Sequence, residues 1–461
     1  MDRFKRVEIS YLDPIERIKN FKEVCLGYTE EEAVLEAKRC LQCKNPKCVP
    51  LCPVNIDIPG FIKAISQRDF LLAYEILSDY TSLPAVCGRV CPQEDQCEKT
   101  CILGIKGDPI AIGKLERFAA DWALENNIRR EFTFDKKNKK VAIVGSGPAG
   151  ISCAGELIKL GYEVTIFESL HQPGGVLIYG IPEFRLPNEK VVFKEIENLE
   201  RLGVKIEKNV YVGRTLTIKD IFNEGFEAIF IASGAGAPIF MGIDGENLNN
   251  VFSANEFLTR NNLMNAYKSN AQTQIYVGKN IAVIGGGNVA MDAARTAKRY
   301  GAEVNIIYRR TKAELPARYE EVENAIEEGI KFHFLVNPIE ILGNEFGEVS
   351  SIKLQKMKLG EPDSSGRRKP MPIAGEETEL KVDTVIMALG TNPNTVIADT
   401  ASGLKLDAKN RILVDKNLET KLSRVFAGGD IVTGSATVIL AMGAGKKAAH
   451  SIDNLLNNKA D

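Results

Sequence analysis

The sequence predicts an α/β protein. A helical, cysteine-rich N-terminal domain precedes two Rossmann-like dinucleotide-binding domains, the second inserted in the first. Three observations carry this. From residue 141 onward apolar strands alternate with helical stretches, the pattern of a parallel sheet. The segment VAIVGSGPAGISCAGELIKLGYEVTIFES (141–169) is repeated in outline by IAVIGGGNVAMDAARTAKRYGAEVNIIYRR (281–310), each a strand, a glycine turn, a helix and a second strand. A period of 140 residues means two copies of a nucleotide-binding unit and not a solenoid. Finally, eight of the ten cysteines lie between Cys40 and Cys101, with Cys25 and Cys153 apart from them.

A chain of 461 residues suits about three domains of roughly 150 residues. The boundaries read as 1–135 for the helical domain, 140–278 and 388–461 for the two parts of the first dinucleotide domain, and 279–387 for the second. Within the first domain, YTEEEAVLEAKRC places Thr29 as N-cap and Glu32 three residues on, a capping box leading towards Cys40. The stretch IPGFIKAISQRDFLLAYEILSDY continues with apolar residues at helical spacing. FTFDKKNKK reads as a polar, basic linker, and GEPDSSGRRKPMPIAGEET as an exposed connection. VDTVIMALG resumes a buried strand, and VFAGGDIVTGSATVILAMGAGKKAAHSI supplies the strand, turn and helix expected to rejoin the first sheet.

A hydrophobic fraction of 44%, a charged fraction of 26% and a net charge of -2 describe an ordinary globular protein. They give no reason to expect nucleic acid or an anionic membrane as partner. MDRFKRVEIS has positive charges with no apolar run behind them, and no stretch approaches the roughly 18 to 20 apolar residues of a span. The expected location is cytoplasmic.

Gly145, Gly147 and Gly150 form G-x-G-x-x-G between a strand and a helix, so Gly145, Ser146, Gly147, Pro148, Ala149 and Gly150 are expected to cradle a pyrophosphate at a helix N-terminus. Glu168, 23 residues after Gly145, stands where a carboxylate binds ribose hydroxyls. In the second unit the turn is Gly285, Gly286, Gly287, Asn288 and Val289, with Ala290 in place of the third glycine. The same count of 23 lands on Tyr308, so the acid is absent, and Arg309 and Arg310 follow at once. Guanidinium groups bind phosphate by matched, charge-assisted hydrogen bonds, whereas an acid would repel it. The second unit is therefore expected to take NADP(H), with Ala388, Leu389 and Gly390 closing its site. A solvated basic turn is the plainer alternative for the two arginines.

The first unit then takes a different dinucleotide, and FAD is the candidate. QPGGVLIYGIPEFRLP (172–187) offers Gly174, Gly175, Val176 and Arg185 beside an isoalloxazine ring. AGGDIVTGSATV offers Gly429 and Asp430 for the ribityl chain, with Thr437 and the following helix near the flavin.

The cysteines fall into two runs. CLQCKNPKCVPLCP gives Cys40, Cys43, Cys48 and Cys52, and CGRVCPQEDQCEKTC gives Cys87, Cys91, Cys97 and Cys101. Thiolates suit zinc and iron–sulfur clusters alike. The first run approaches the two-cluster ferredoxin spacing, in which the last cysteine serves the other cluster. A chain with flavin and nicotinamide sites also has a use for one-electron carriers, which favours iron–sulfur.

The combination of CLQC, CPVNIDIPGFI, CGRVCP, GSGPAG, GIPEFRLP, GGGNVAMD, YRR and FAGGD resembles the glutamate synthase small (beta) subunit family. It is also similar to the flavin-bearing subunit of NADH-dependent ferredoxin:NADP oxidoreductase and to the N-terminal part of dihydropyrimidine dehydrogenase. The resemblance spans essentially the whole chain and implies a glutathione-reductase-like flavoprotein with an iron–sulfur domain in front. It further implies two 4Fe–4S clusters with interleaved ligands: Cys40, Cys43, Cys48 and Cys101 for one, and Cys52, Cys91 and Cys97 for the other. Glu116, in PIAIGKLERF, stands at the position of the eighth ligand; on spacing alone Cys87 would fill it, and both remain open.

The activity so implied is oxidation of NADPH, with a hydride passed to FAD and single electrons leaving through the clusters to a partner subunit. No side chain is obliged to act as a base, which agrees with only three histidines and no nucleophile-elbow motif. These residues leave no room for a glutaminase or a synthase barrel, so a separate large subunit would form glutamate. The alternative partner is a small NADH-binding flavoprotein subunit. A non-catalytic iron–sulfur scaffold is the rival of another class, and the intact glycine turns, Glu168, Arg309 and Arg310 speak against it.

Overall fold

In the computed structural model, which describes residues 2–363 and 366–457, the apolar strand Lys140–Val144 runs into a glycine turn and the helix Pro148–Lys159. It is the centre of a five-stranded parallel sheet ordered Val425–Ala427, Ala228–Ile231, Lys140–Val144, Glu163–Glu168, Lys205–Lys208. The edge strand Val425–Ala427 comes from the far end of the chain, so this sheet is built from two separated stretches of sequence. The C-terminal helix Val438–Asn457 returns across Pro148–Lys159, with the Ser152 hydroxyl donating to the Met442 carbonyl at 2.9 Å.

A second parallel sheet is ordered Lys331–Phe334, Glu303–Tyr308, Asn280–Ile284, Thr384–Met387, Val251–Ser253. Its outer strand Val251–Ser253 and the helix Ala254–Asn261 fall inside the 140–278 range expected for the first unit, yet they join the second. A three-residue strand has too short a pattern to declare its sheet. The stretch read as an exposed connection is also corrected. Val349–Pro362 and Arg368–Lys381 pair as a long antiparallel ribbon, flanked by Val336–Gly343. Most of Arg368–Lys381 is exposed, so it lacks the apolar alternation by which a strand is recognised.

The N-terminal domain is helical as expected: Glu30–Ala37, Ile58–Ser66, Phe70–Tyr80, Pro84–Val90 and Ile112–Glu125. The Thr29–Glu32 capping box is formed in both directions. This domain shares one apolar core with the first sheet, in which Leu77, Val86 and Leu115 join Ile143, Leu157 and Met442. The second sheet has its own core around Ile281, Met291 and Ile306. It meets the rest across a charged seam. Arg17 pairs with Glu327 at 2.7 Å and Glu328 at 3.0 Å, and Arg185 with Asp292 at 2.8 Å and Glu321 at 3.1 Å. Lys114 adds a pair to Glu320 at 2.8 Å. Among the described residues no helix is long and apolar enough to cross a membrane.

Candidate cofactor sites

The two glycine turns share a backbone and differ in what lies beneath it. Gly145 has φ +101° and Gly285 φ +138°, values that L side chains avoid. A Cβ at either would also run into a carbonyl of the next strand, 2.6 Å from that of Ala232 and 2.3 Å from that of Ala388. Gly147 and Gly287 face open space in front of the helices Pro148–Lys159 and Asn288–Arg299. That is the room a pyrophosphate needs at a helix N-terminus.

In the first unit the Ser146 N–H and hydroxyl both donate to the buried carboxylate of Glu168, the N–H at 2.9 Å. Leu170 N–H donates to its other oxygen at 2.7 Å, and Gly174 N–H donates to the Ser146 hydroxyl at 2.9 Å. Glu168 thus ties the 172–175 loop to the turn, with Gly175 against Gly147. In the second unit Gly286 replaces Ser146 because the Tyr308 ring occupies that space; a Cβ at Gly286 would lie 2.7 Å from it. The Tyr308 hydroxyl donates to the Glu314 carbonyl at 2.6 Å.

Gly429 packs against Ala149, and the following Asp430 carboxylate accepts from Ala436 N–H at 3.2 Å. Burial pushes Asp430 up to about 6. Burial, then the charges of Asp430 and Glu168, pushes Tyr179 up to about 12. Sequence reasoning passed over Tyr179, the last residue of a four-residue helix, because a single tyrosine carries no motif. Thr437 caps the C-terminal helix, accepting from Leu440 N–H at 3.4 Å, and Val176 opens a short helix after Gly175. Arg185 does not join this group. It is turned to Asp292 and Glu321 of the second unit, whose two carboxylates hold its guanidinium.

The arginine pair divides. Arg309 is exposed and, among the described residues, makes no hydrogen bond or ion pair. Arg310 is 4% exposed; it pairs with Asp363 and donates from Nε to the Arg368 carbonyl at 2.8 Å. Asp363 and Arg368 flank the end of the antiparallel ribbon, and Arg368 pairs with Glu314. Of the other residues expected here, Ala388 donates its N–H to the Ile284 carbonyl, Leu389 is exposed, and the Gly390 carbonyl accepts from Ile239 N–H at 3.1 Å. Val289 is exposed at the helix start, and Asn288 accepts from Arg318 N–H at 3.0 Å.

The cysteines line two cavities that share Ile58 and Ile112 as a wall. The outer one collects Cys40, Cys43, Cys48 and Cys101. The inner one collects Cys52, Cys91, Cys97, Cys87 and Glu116, and is closed by Ile439 of the C-terminal helix. Cys25 and Cys153 belong to neither. Among the described residues no three such groups converge on one point as ligands of a single ion do. Burial pushes the thiols of Cys52, Cys91 and Cys97 up, and that of Cys48 to about 11.

Glu116 is 5% exposed, and its Oε1 is buried without a hydrogen-bond partner. Burial, then the charge of Glu195, pushes it up to about 8. A buried carboxylate oxygen left unsatisfied costs on the order of 1–3 kcal/mol unless something else binds it. Cys87, by contrast, is engaged by its S–H with the Met442 sulfur at 3.5 Å. Three thiols and an orphaned carboxylate make a donor set that fits an iron–sulfur cluster.

An iron–sulfur helical domain fused to paired dinucleotide units defines a class, the NADPH-dependent flavin and iron–sulfur oxidoreductases. Residues 17–128 match the family model described as dihydropyrimidine dehydrogenase domain II, 4Fe-4S cluster. Residues 139–445 match pyridine nucleotide-disulphide oxidoreductase. The chain belongs to the latter family and, within it, to the glutamate synthase small-subunit family. It is 36% identical to the glutamate synthase (NADPH) small chain of Escherichia coli K12, over 98% of each chain. It is 40% identical to the NADP(+)-dependent formate dehydrogenase subunit beta of Moorella thermoacetica, over 89% of this chain and 60% of that one. Among solved structures, Mycobacterium tuberculosis FprA in complex with NADPH superposes with a TM-score of 0.58 at 22% identity, over 70% of this chain and 85% of that one, a likeness of fold.

Proposed function

We propose that this chain is the NADPH-oxidising electron-transfer subunit of a larger assembly, carrying FAD and two 4Fe–4S clusters and delivering electrons to a partner protein. In this reading it serves as the small subunit of an NADPH-dependent glutamate synthase, beside a large subunit that forms glutamate. The observation that carries the reading is the division of the cysteines into two adjoining cavities, the inner walled by the helix that follows Asp430.

The residues take these roles. Gly145–Gly150 and Glu168 hold the FAD pyrophosphate and ribose, while Gly174, Gly175, Val176, Gly429, Asp430 and Thr437 line the flavin. Gly285–Val289 hold the NADP(H) pyrophosphate, Ala388–Gly390 close that site, and Arg309 reads the 2′-phosphate while Arg310 anchors the ribbon end beside it. Cys52, Cys91, Cys97 and Glu116 hold the inner cluster, and Cys40, Cys43, Cys48 and Cys101 the outer. When bound, these groups supply hydride acceptance from the nicotinamide and one-electron conduction outward. The chain orients them and sets their surroundings.

The outer cavity opens on a face suited to a partner. Leu41, Leu51 and Ile102 are exposed beside it, and Ile105 is 79% exposed. The charged residues of 40–51 and 99–106 are Lys44, Lys47, Lys99 and Lys106, with no carboxylate among them. An apolar patch rimmed by lysines fits a partner with an acidic rim.

The higher identity to a formate dehydrogenase subunit favours a second reading, in which the partner belongs to another NADP-linked oxidoreductase, such as the small NADH-binding flavoprotein of a bifurcating ferredoxin:NADP oxidoreductase. Anaerobic copurification separates the two: a large glutaminase-containing subunit supports the first and a small flavoprotein the second. NADPH-dependent dye reduction by the isolated chain tests the shared core. A chain binding neither flavin nor iron would refute both.

A further inference from the structure

We propose that Arg318 is a positioning residue through which nucleotide at the second glycine turn lowers the reduction potential of the inner cluster. The inference rests on the cluster and nucleotide assignments made above. Arg318 belongs to the second unit, at the N-cap of the helix Tyr319–Glu327, and lies outside the glycine fingerprint. Its backbone N–H donates to the Asn288 Oδ1 at 3.0 Å, so one end of the residue is fixed to the pyrophosphate turn. Its buried side chain crosses the charged seam into the loop that carries Cys91. There Nη1 donates to the Arg89 carbonyl at 2.9 Å, Nη2 to Gln93 Oε1 at 3.2 Å, and Nε to Glu94 Oε1 at 3.1 Å. A second carboxylate, Glu320, accepts from Nη2 at 3.3 Å.

Gln93 carries the contact inward. It lines the inner cavity, its amide Nε2 donates to the Cys87 carbonyl at 3.1 Å, and its N–H donates to the Cys91 carbonyl at 3.0 Å. Two physical effects follow. A cation one residue removed from the cluster ligands favours the reduced form, which carries one more negative charge. Groups that orient ligands without binding the metal tune its electronics. Phosphate at the N-terminus of Asn288–Arg299 would engage the Asn288 amide and shift Arg318, changing both effects at once. By linkage, if nucleotide lowers the potential, reduction of the cluster weakens nucleotide binding by the same factor. A tenfold coupling corresponds to 59 mV for a one-electron couple. Electron arrival at the inner cluster would then help release spent NADP⁺.

The test is a potentiometric titration of the full chain followed by electron paramagnetic resonance, with the inner-cluster signal assigned by its loss in Cys91→Ser. The probe is 2′-phospho-ADP-ribose, which carries the NADP phosphates and no redox-active ring. In the native chain the probe is expected to move the midpoint negative. Arg318→Gln is expected to have a lower midpoint without probe and no shift with it. Asn288→Ala, with binding of the probe shown to be saturated, is expected to lose the shift, which decides the matter should Arg318→Gln fail to fold. A probe-induced shift that persists in either variant, or that is absent from the native chain, overturns the proposal. A missing cluster signal, or no calorimetric binding of the probe, would instead refute the underlying site assignments.

Discussion

Arg309 and Arg310 are neighbours in sequence with opposite surroundings, and their single substitutions should separate. Arg309 is exposed, so Arg309→Ala removes a contact made only to bound ligand. A hydrogen bond to a charged group contributes about 1.5–3 kcal/mol. At about 1.4 kcal/mol per factor of ten, the KM for NADPH should rise roughly 10- to 150-fold. The KM for NADH, which lacks the phosphate, should change little, and so should the melting temperature. Arg310→Ala should behave otherwise. It leaves the Asp363 carboxylate and the Arg368 carbonyl without this donor and frees the ribbon end, at a cost of about 1–3 kcal/mol in stability. Steady-state dye reduction with each nucleotide, alongside thermal melts, measures all four quantities. Equal effects of Arg309→Ala on NADPH and NADH would refute the phosphate role. A large NADPH-specific defect in Arg310→Ala at unchanged stability would refute the division between the two.

Two family-type clusters imply about eight iron atoms per chain. Glu116→Ala and Cys52→Ser should each bring this to about four with flavin retained, while Cys87→Ala should keep all of it; iron loss in Cys87→Ala would reverse the ligand assignment. Arg185→Ala strips one partner from buried Asp292 and Glu321 and should cost about 3–5 kcal/mol in denaturant unfolding without lowering flavin content. Flavin loss would return Arg185 to the flavin site. Asp430 has its pKa raised from 3.8 to about 6 by burial, so the folded state holds its proton longer than the unfolded chain and stability falls as pH rises between those values. Flavin-free Asp430→Asn should therefore gain on the native chain by about 1 kcal/mol from pH 5 to pH 6, by a smaller amount towards pH 7, and by nothing beyond it. A constant difference across this range would show that the carboxyl is not perturbed.

What was legible in the sequence was local. The Thr29–Glu32 capping box joins residues three apart, and both glycine turns form within one strand–helix unit. The pairing of Cys101 with the first run of cysteines came from resemblance, since spacing alone gives no reason to prefer it. What was not legible depends on distant partners. Arg310 is buried by a residue 53 positions away, and Arg185 is drawn off by one 107 positions away. Arg318 meets Gln93 across 225 positions. The ribbon escaped because its polar strands carry no apolar period, and Val251–Ser253 because three residues define none.

The iron–sulfur domain and the first sheet are joined by hydrocarbon, whereas the second sheet is held largely by paired charges. Hydrocarbon packs against any hydrocarbon, whereas buried ion pairs such as Arg17 with Glu328 and Arg185 with Asp292 tolerate only a seating that matches each charge with its partner. The flavin and its metal centres would thus ride on one continuous core, and the nucleotide carrier would be seated against it in a single register. Loading and unloading of NADP(H) would then leave the distances along the electron path undisturbed.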